Sequence, residues 1–337
     1  MGGLKTIAPI RRQVSRQSER MREVLRRERE RRMSRRVARR QALAARPSLW
    51  VETRRRIRLA CIVVCTLAVF GLWLCCWPLS PLAPSAMRPI RRRLIQLWGA
   101  ACLWIINMRL EVYGRAPKPP CFLVANHLSY VDIWVLSQQT GAVFVAKADM
   151  ETWPLFGWFM KQCHQIFIRR ESLRDSQRVI GLLNEVLDER DALVVFAEGR
   201  CSPGREVLSF RPSLYQVAAE RRFPVHYAAL TYETPEGEPA PADSISWWRW
   251  EPFGEHMKRL LRLSGSRARL YYGAAPVVSS DRKELARRTQ AGCEELFTPL
   301  EQGILEELPT PDDAPVNLYP EKKLQRQEAE AREAAVD

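Results

Sequence analysis

In the stretch "VANHLSYVD", Val124 to Asp132, an apolar run gives way to Asn126 and His127, and Asp132 follows five residues after the histidine. An imidazole strips a proton from an alcohol when a second group fixes its tautomer and stabilises its charged form. Asp132 could serve His127 in this way. On one continuous helix the two would lie about 140° apart around the axis. They can meet only if His127 sits in a turn ahead of the helix. A strand ending at Ala125 and a helix starting near Ser129, with Asp132 in its second turn, would give that geometry. The plainer alternative is a loop histidine with no chemistry.

Two further stretches carry candidate groups. "FAEGRCSPGREVLSFRPSL" sets the Glu198 carboxylate beside Gly199, a residue that lets backbone approach a ligand. "HQIFIRR" closes on Arg169 and Arg170; a strand-end guanidinium either binds phosphate or carboxylate or is a solvated edge charge. Cys201 is a conceivable covalent nucleophile, but nothing adjacent in sequence would activate it.

These groups need a frame. Short apolar runs at 121–126, 142–147, 164–170, 192–199, 223–232 and 267–275 read as strands. Between two of them "SLRDSQRVIGLLNEVLDER" reads as a helix, with Ser172 and Asp175 as a capping pair and Leu173, Ile180, Leu183 and Leu187 on one face. "DRKELARRTQAGCEELF" reads as a closing helix begun by Asp281 and Glu284. Strands alternating with helices imply an α/β fold with a largely parallel mixed sheet flanked by helices. In such sheets ligands bind at the carboxyl ends of strands, where both His127 and Glu198 fall.

The chain has 337 residues and a formal charge of +15. That charge is confined to residues 1–58, with 20 basic and 5 acidic residues; the remainder is neutral. A nucleic-acid-binding protein is a rival reading from another class, since arginine clusters bind phosphate chains. The neutral body counts against it. Deleting residues 1–56 should abolish nucleic-acid binding on that view but leave the chemistry of the folded body intact. An anionic membrane leaflet is a simpler partner for the tail, at about 1 kcal/mol per basic residue near the surface. Nine cysteines without a Cys-x-x-Cys pair or regular spacing read as free thiols.

Leu59 to Leu79 is a 21-residue run without a charge, long enough to cross a hydrocarbon layer. Pro78, Pro81 and Pro84, at its end and just beyond it, would break any helix, and Leu94 to Met108 forms a shorter apolar segment. Arg88, Arg91, Arg92 and Arg93 make the far end basic as well. The expectation is therefore a membrane-embedded helical hairpin over Leu59 to Met108, with a single span as the competing picture. The implied divisions are an Arg-rich cytoplasmic tail (1–56), the anchoring pair (57–110), a catalytic domain (111–307) and a charged mobile tail (308–337).

Taken together, the blocks resemble those of the glycerolipid acyltransferases, in particular the bacterial 1-acylglycerol-3-phosphate acyltransferase family, across roughly residues 110–300. "NHLSYVD" is similar to the first block, Asn-His-x4-Asp. "HQIFIRR" resembles the second, with Arg170 on the family arginine and His164 where glycine is usual. "FAEGRCS" resembles the third and "FPVHYAAL" the fourth, which keeps Pro224 but has Tyr227 for the second proline. "FVAKADMETWPLFGWFMKQ" fits the intervening segment, with Lys147 and Gly157. The resemblance implies that His127 is a general base on the free hydroxyl of a lysolipid and that Asp132 orients it. The acyl donor would be a thioester of coenzyme A or acyl carrier protein, with no cofactor, no metal and no acyl-enzyme. It further implies that Arg170, Glu198 and Gly199, with Arg200 and Lys147, bind the acceptor, at the cytoplasmic face of the inner membrane.

One departure bears on the acceptor. The third block has Arg200 and Cys201 where the family has Thr and Arg, so the arginine has moved one place or the acceptor has no phosphate. "EGRCSPGREVLSFRPSL" and "SISWWRWEPFGEHMKRLL" also resemble lyso-ornithine-lipid acyltransferases. Lysophosphatidate is the first expectation because it is the commoner acceptor. A non-catalytic lipid-binding scaffold on the same fold is the rival that His127→Ala would separate.

Overall fold

Continuous apolar runs fold as strands buried on both faces, as strands of a helix-flanked parallel sheet must be. In the computed structural model β2 (Cys121–Ala125) and β5 (Ala192–Phe196) are buried throughout. The structure describes residues 47–79, 84–148, 151, 156–162, 164–168, 173–249 and 251–303. The Arg-rich segment 11–40, Arg169, Arg170, Ser172 and the tail 308–337 lie outside the described residues, as does the side chain of Lys147.

The remaining strands are β1 (Met108–Tyr113), β3 (Val143–Lys147), β4 (Ile166–Ile168), β6 (Val225–Glu233) and β7 (Ser266–Tyr272). They form one sheet in the order β1-β7-β6-β2-β5-β3-β4. Only the β6–β7 pair is antiparallel, so β1 and β7 run against the other five. All six expected strands are present. The seventh, β1, was not anticipated and starts inside the segment assigned to the anchor; "MRLEVY" alternates apolar and polar residues as a half-exposed edge strand does.

The nine helices among the described residues are α1 (Leu49–Cys76), α2 (Pro84–Ile105), α3 (Val131–Thr140), α4 (Phe156–Gln162), α5 (Leu173–Asp188), α6 (Gln216–Glu220), α7 (Pro241–Ser244), α8 (Phe253–Arg262) and α9 (Arg282–Leu296). Successive strand residues point to opposite faces, which divides the core in two. Leu123, Ala125, Val194 and Phe196 pack under α2, α3 and α8. Phe122, Val124, Leu193 and Val195 pack against α5, α6 and α9. Asp281 caps α9 by accepting from the Lys283 N–H at 2.8 Å, as expected of that residue.

The two N-terminal helices differ in their surroundings. Helix α1 is the one described helix long and apolar enough to cross a membrane, and it leaves Val63, Val64, Leu67 and Leu72 exposed. Helix α2 instead buries Trp98, Cys102 and Leu103 in the core. A Cβ at Gly99 would stand 2.5 Å from the Trp134 carbonyl oxygen, so the absence of a side chain lets α2 lie directly on α3. The arginines read as the basic end of a membrane hairpin are engaged in the protein. Arg91, 3% exposed, bonds the carboxylate of buried Asp191, and Arg92 reaches the same group at 3.3 Å. An acid buried at the start of β5 needs such partners to be tolerated. Of the two helices expected to form a membrane hairpin, α1 alone has the length and apolar composition of a span, while α2 is docked on the domain.

The basic end of α1 grips α8. Arg58, itself buried, donates to the carbonyls of Leu261 (3.2 Å) and Ser264 (3.3 Å), and also to that of Leu263. The Leu261 carbonyl is one that the end of α8 leaves without an internal partner, and the other two belong to the chain just beyond it. Glu52 pairs with Arg262 at 2.7 Å.

Candidate active site

Strand β2 ends at Ala125, and α3 begins at Val131. The helix starts two residues later than expected, so Asp132 lies in its first turn and not its second. From there the carboxylate reaches back: Oδ2 accepts from the N–H groups of Leu128 (2.7 Å) and Ser129 (2.9 Å). A negative charge at a helix N-terminus is favoured by the unpaired N–H groups there. His127, in the turn between strand and helix, places Nδ1 2.8 Å from the same oxygen. Tyr232, at the carboxyl end of β6, donates its hydroxyl to Oδ1 at 2.6 Å.

This network assigns the protons. Asp132 is fully buried and accepts two N–H bonds, a hydroxyl and an imidazole, which is the work of an ionised, acceptor-only carboxylate. Nδ1 of His127 therefore carries hydrogen and Nε2 is the acceptor. Burial, the Asp132 charge and their hydrogen bond hold the Tyr232 hydroxyl well above the usual tyrosine range, so it is a permanent donor. The imidazole stacks on Phe196, the last residue of β5, at 4.0 Å and 12°. Its plane and tautomer are thus both fixed, while the side chain is 16% exposed.

The backbone around His127 is equally constrained. Asn126 extends the β2–β6 ladder with its side chain, donating to the Leu230 carbonyl (3.0 Å) and accepting from the Leu230 N–H (2.7 Å). The His127 carbonyl accepts from Ser202 N–H at 2.9 Å. The Leu128 carbonyl accepts from Trp247 N–H at 2.8 Å and from the Ser246 hydroxyl at 3.1 Å.

Glu198 follows β5 but is only 2% exposed, with Oε1 accepting from Leu208 N–H at 3.2 Å. Burial pushes its carboxyl well above the usual range, and the nearby Asp132 charge adds to this against the backbone of Leu208 and His127. Gly199 has φ +73°, and a Cβ there would lie 3.0 to 3.2 Å from the Arg211 guanidinium group. Glycine is required for the conformation and for the cover. Arg200 and Cys201 are half-buried beside it. Lys147 ends β3 opposite Ile168, the last residue of β4.

The structure therefore gathers His127, Asp132, Glu198, Gly199 and Arg200 at the carboxyl ends of β2 and β5. Arg170 follows β4 outside the described residues. Tyr232, Ser202, Ser246 and Arg211 were not anticipated from sequence. Tyr232 could have been found as a polar residue ending a strand at the same rim as His127. Ser246 offers no sequence signal, because its role depends on a loop crossing from α7.

The chain is similar to several known proteins. The acyltransferase family model matches residues 109–230. The lyso-ornithine lipid O-acyltransferase of Pseudomonas aeruginosa is 32% identical over 242 residues, covering 70% of this chain and 92% of that protein. The 1-acyl-sn-glycerol-3-phosphate acyltransferase of Neisseria gonorrhoeae is 31% identical over 150 residues, covering 44% of this chain and 59% of that protein. A crystal structure of the 1-acyl-sn-glycerophosphate acyltransferase from Thermotoga maritima is similar at TM-score 0.48 and 22% identity, over 72% of this chain and 97% of that one.

Proposed function

Because this chain belongs to the acyltransferase family, we propose that His127 is the general base in acyl transfer from a thioester to the hydroxyl of a lysolipid. The observation that carries the reading is the 2.8 Å contact between His127 Nδ1 and Asp132 Oδ2, with the imidazole partly open to solvent. Nε2 takes the proton of the acceptor hydroxyl as its oxygen attacks the thioester carbonyl. The carbon–sulfur bond breaks, and the departing thiolate takes the proton back from the imidazolium. The products are an ester and a free thiol, and His127 is restored. Asp132, ionised throughout, stabilises the imidazolium between the two steps.

The acceptor we put first is a lyso-ornithine lipid, reversing the expectation from sequence. The relative that this chain covers almost completely carries that name, and the Arg200–Cys201 departure fits an acceptor without phosphate. Lysophosphatidate is the second reading, favoured by the exposed Arg211 guanidinium lying over Gly199. The acyl donor is a thioester of coenzyme A or acyl carrier protein. Helix α1 would anchor the enzyme in the inner membrane, with the catalytic rim toward the cytoplasm and the Arg-rich tail on anionic lipid.

Purified protein should be assayed with labelled acyl-coenzyme A and acyl-carrier-protein against a panel of lysolipids. Acylation of lyso-ornithine lipid above lysophosphatidate supports the first reading, and the reverse order supports the second. Failure to acylate any lysolipid from either donor would overturn both.

A further inference from the structure

A second histidine lies beneath the catalytic turn. His256, on α8, is fully buried, with Nδ1 3.0 Å from the Tyr130 hydroxyl and Nε2 3.0 Å from the Ser246 carbonyl oxygen. A carbonyl only accepts, so Nε2 carries the hydrogen and Nδ1 accepts from Tyr130. Both ring nitrogens are used, so this imidazole has no free edge for substrate. Burial and the nearby Arg259 charge push its pKa down to about 3, which keeps it neutral.

Its two partners both lead to His127. Tyr130 is the last residue of the turn that joins β2 to α3, and its ring is wedged edge-on against Trp134, Trp247 and Phe253. Ser246 turns its hydroxyl to the carbonyls of Leu128 (3.1 Å) and Ser202 (2.9 Å), while Ser202 N–H holds the His127 carbonyl. Asp132 holds the turn by the N–H groups of Leu128 and Ser129; the segment tied to His256 holds it by the Leu128 carbonyl. The far end of α8 is gripped by Arg58 of α1, so His256 projects from a helix pinned at its other end.

We infer that His256 is a positioning residue for the catalytic base: through Tyr130 and Ser246 it fixes the Leu128–Tyr130 backbone, and with it the reach of His127 toward the acceptor hydroxyl. This rests on the general-base reading above. A reacting group displaced by about 1 Å can lose roughly 100-fold in rate. The effect therefore falls on turnover and not on substrate binding.

Two variants test this in the full-length protein. Tyr130→Phe keeps the ring and removes only the hydroxyl; His256→Gln keeps an amide donor for the Ser246 carbonyl but moves the acceptor away from the Nδ1 position that faces Tyr130. Each is read by backbone hydrogen exchange at Leu128 and Ser129, by melting temperature, and by kcat and KM with a labelled acyl thioester and a lysolipid. The expected result is faster exchange at those two amides and a fall in kcat of roughly 10- to 100-fold with both KM values nearly unchanged. The double variant should lose little more than the worse single one, because both cut the same connection. Exchange unchanged from wild type would overturn the inference, as would unchanged kcat, or a kcat loss that only follows the fraction of folded protein. Exchange does not depend on turnover: a wild-type protein that acylates no lysolipid would refute the general-base reading, while the exchange result would still decide whether His256 holds the turn.

Discussion

Two histidines serve the same five-residue turn, Asn126 to Tyr130, one within it and one beneath it, and their surroundings differ in one respect that matters. His127 has a buried carboxylate on Nδ1, an aromatic face behind its ring and an edge open to solvent. His256 has a hydroxyl on one nitrogen, a carbonyl on the other and no exposure. The first can exchange a proton with a substrate, and the imidazolium that results has a counter-charge. The second would have to give up a hydrogen bond to be protonated, inside a buried site beside the Arg259 charge. A base differs from a strut by one free nitrogen and one carboxylate.

The largest way to break this contrast, short of removing His127, is Asp132→Asn. The amide cannot accept from four donors with an ionised group, so both tautomer and turn are disturbed. Turnover should fall about 10²- to 10⁴-fold, the usual contribution of acid–base catalysis. Stability should fall by about 1–3 kcal/mol from poorly paired buried N–H groups. Steady-state kinetics and urea unfolding check the two effects. Wild-type turnover in this variant would make His127 and Asp132 a structural pair like His256 and Tyr130.

Tyr232→Phe removes one donor from the same carboxylate and leaves the rest. A hydrogen bond to a charged group contributes about 1.5–3 kcal/mol. The loss should appear in stability and, through a less firmly held Asp132, as a smaller drop in kcat than Asp132→Asn causes. A drop as large as that of Asp132→Asn would mean that Tyr232 meets the substrate itself.

The contrast also has a pH signature. With a folded-state pKa of about 3 against an ordinary value of 6.5, His256 binds fewer protons in the native than in the unfolded state between those limits. Its contribution to stability is therefore lost as pH falls from 6.5 toward 3 and is constant above 6.5, with a slope of at most about 1.4 kcal/mol per pH unit. His256→Gln should flatten the stability curve over that window relative to wild type, as read by chemical denaturation at several pH values. Parallel curves would show that His256 titrates normally.

The smallest effect concerns Glu198. Its carboxyl is raised by burial, so the native state holds a proton that the unfolded chain releases above the ordinary carboxylate range. The sign is opposite to that of His256: stability is lost as pH rises above about 4.5. Glu198→Gln should raise the melting temperature near pH 8 while leaving it little changed near pH 4. A lower melting temperature at pH 8 would mean that the ionised carboxylate is the form the fold requires.

What the sequence made legible follows from how local each feature is. The His127–Asp132 pair was readable because both residues lie on one strand-to-helix turn, and only the helix start was off, since Asp132 caps its own turn. Strands β2 to β7 were readable as apolar runs, β4 at one edge of the sheet included. Strand β1, at the other edge, was not, because it alternates apolar and polar residues on a half-exposed strand. The arginines after the apolar segment were misread because Asp191, their partner, lies about 100 residues away. Tyr232 and His256 escaped for the same reason: their roles exist only after β6 and α8 are brought to the turn. Glu198 was read as a ligand for the acceptor from its place beside Gly199, whereas its carboxyl is buried against the backbone of the turn.

The central claim is tested most directly by His127→Ala in a single-turnover assay with labelled acyl thioester and lysolipid at pH 8. The expected result is a rate lower by about 10²- to 10⁴-fold, with unchanged vesicle binding and no label retained on the protein. Transfer at the wild-type rate, or label held as a thioester on Cys201, would contradict it.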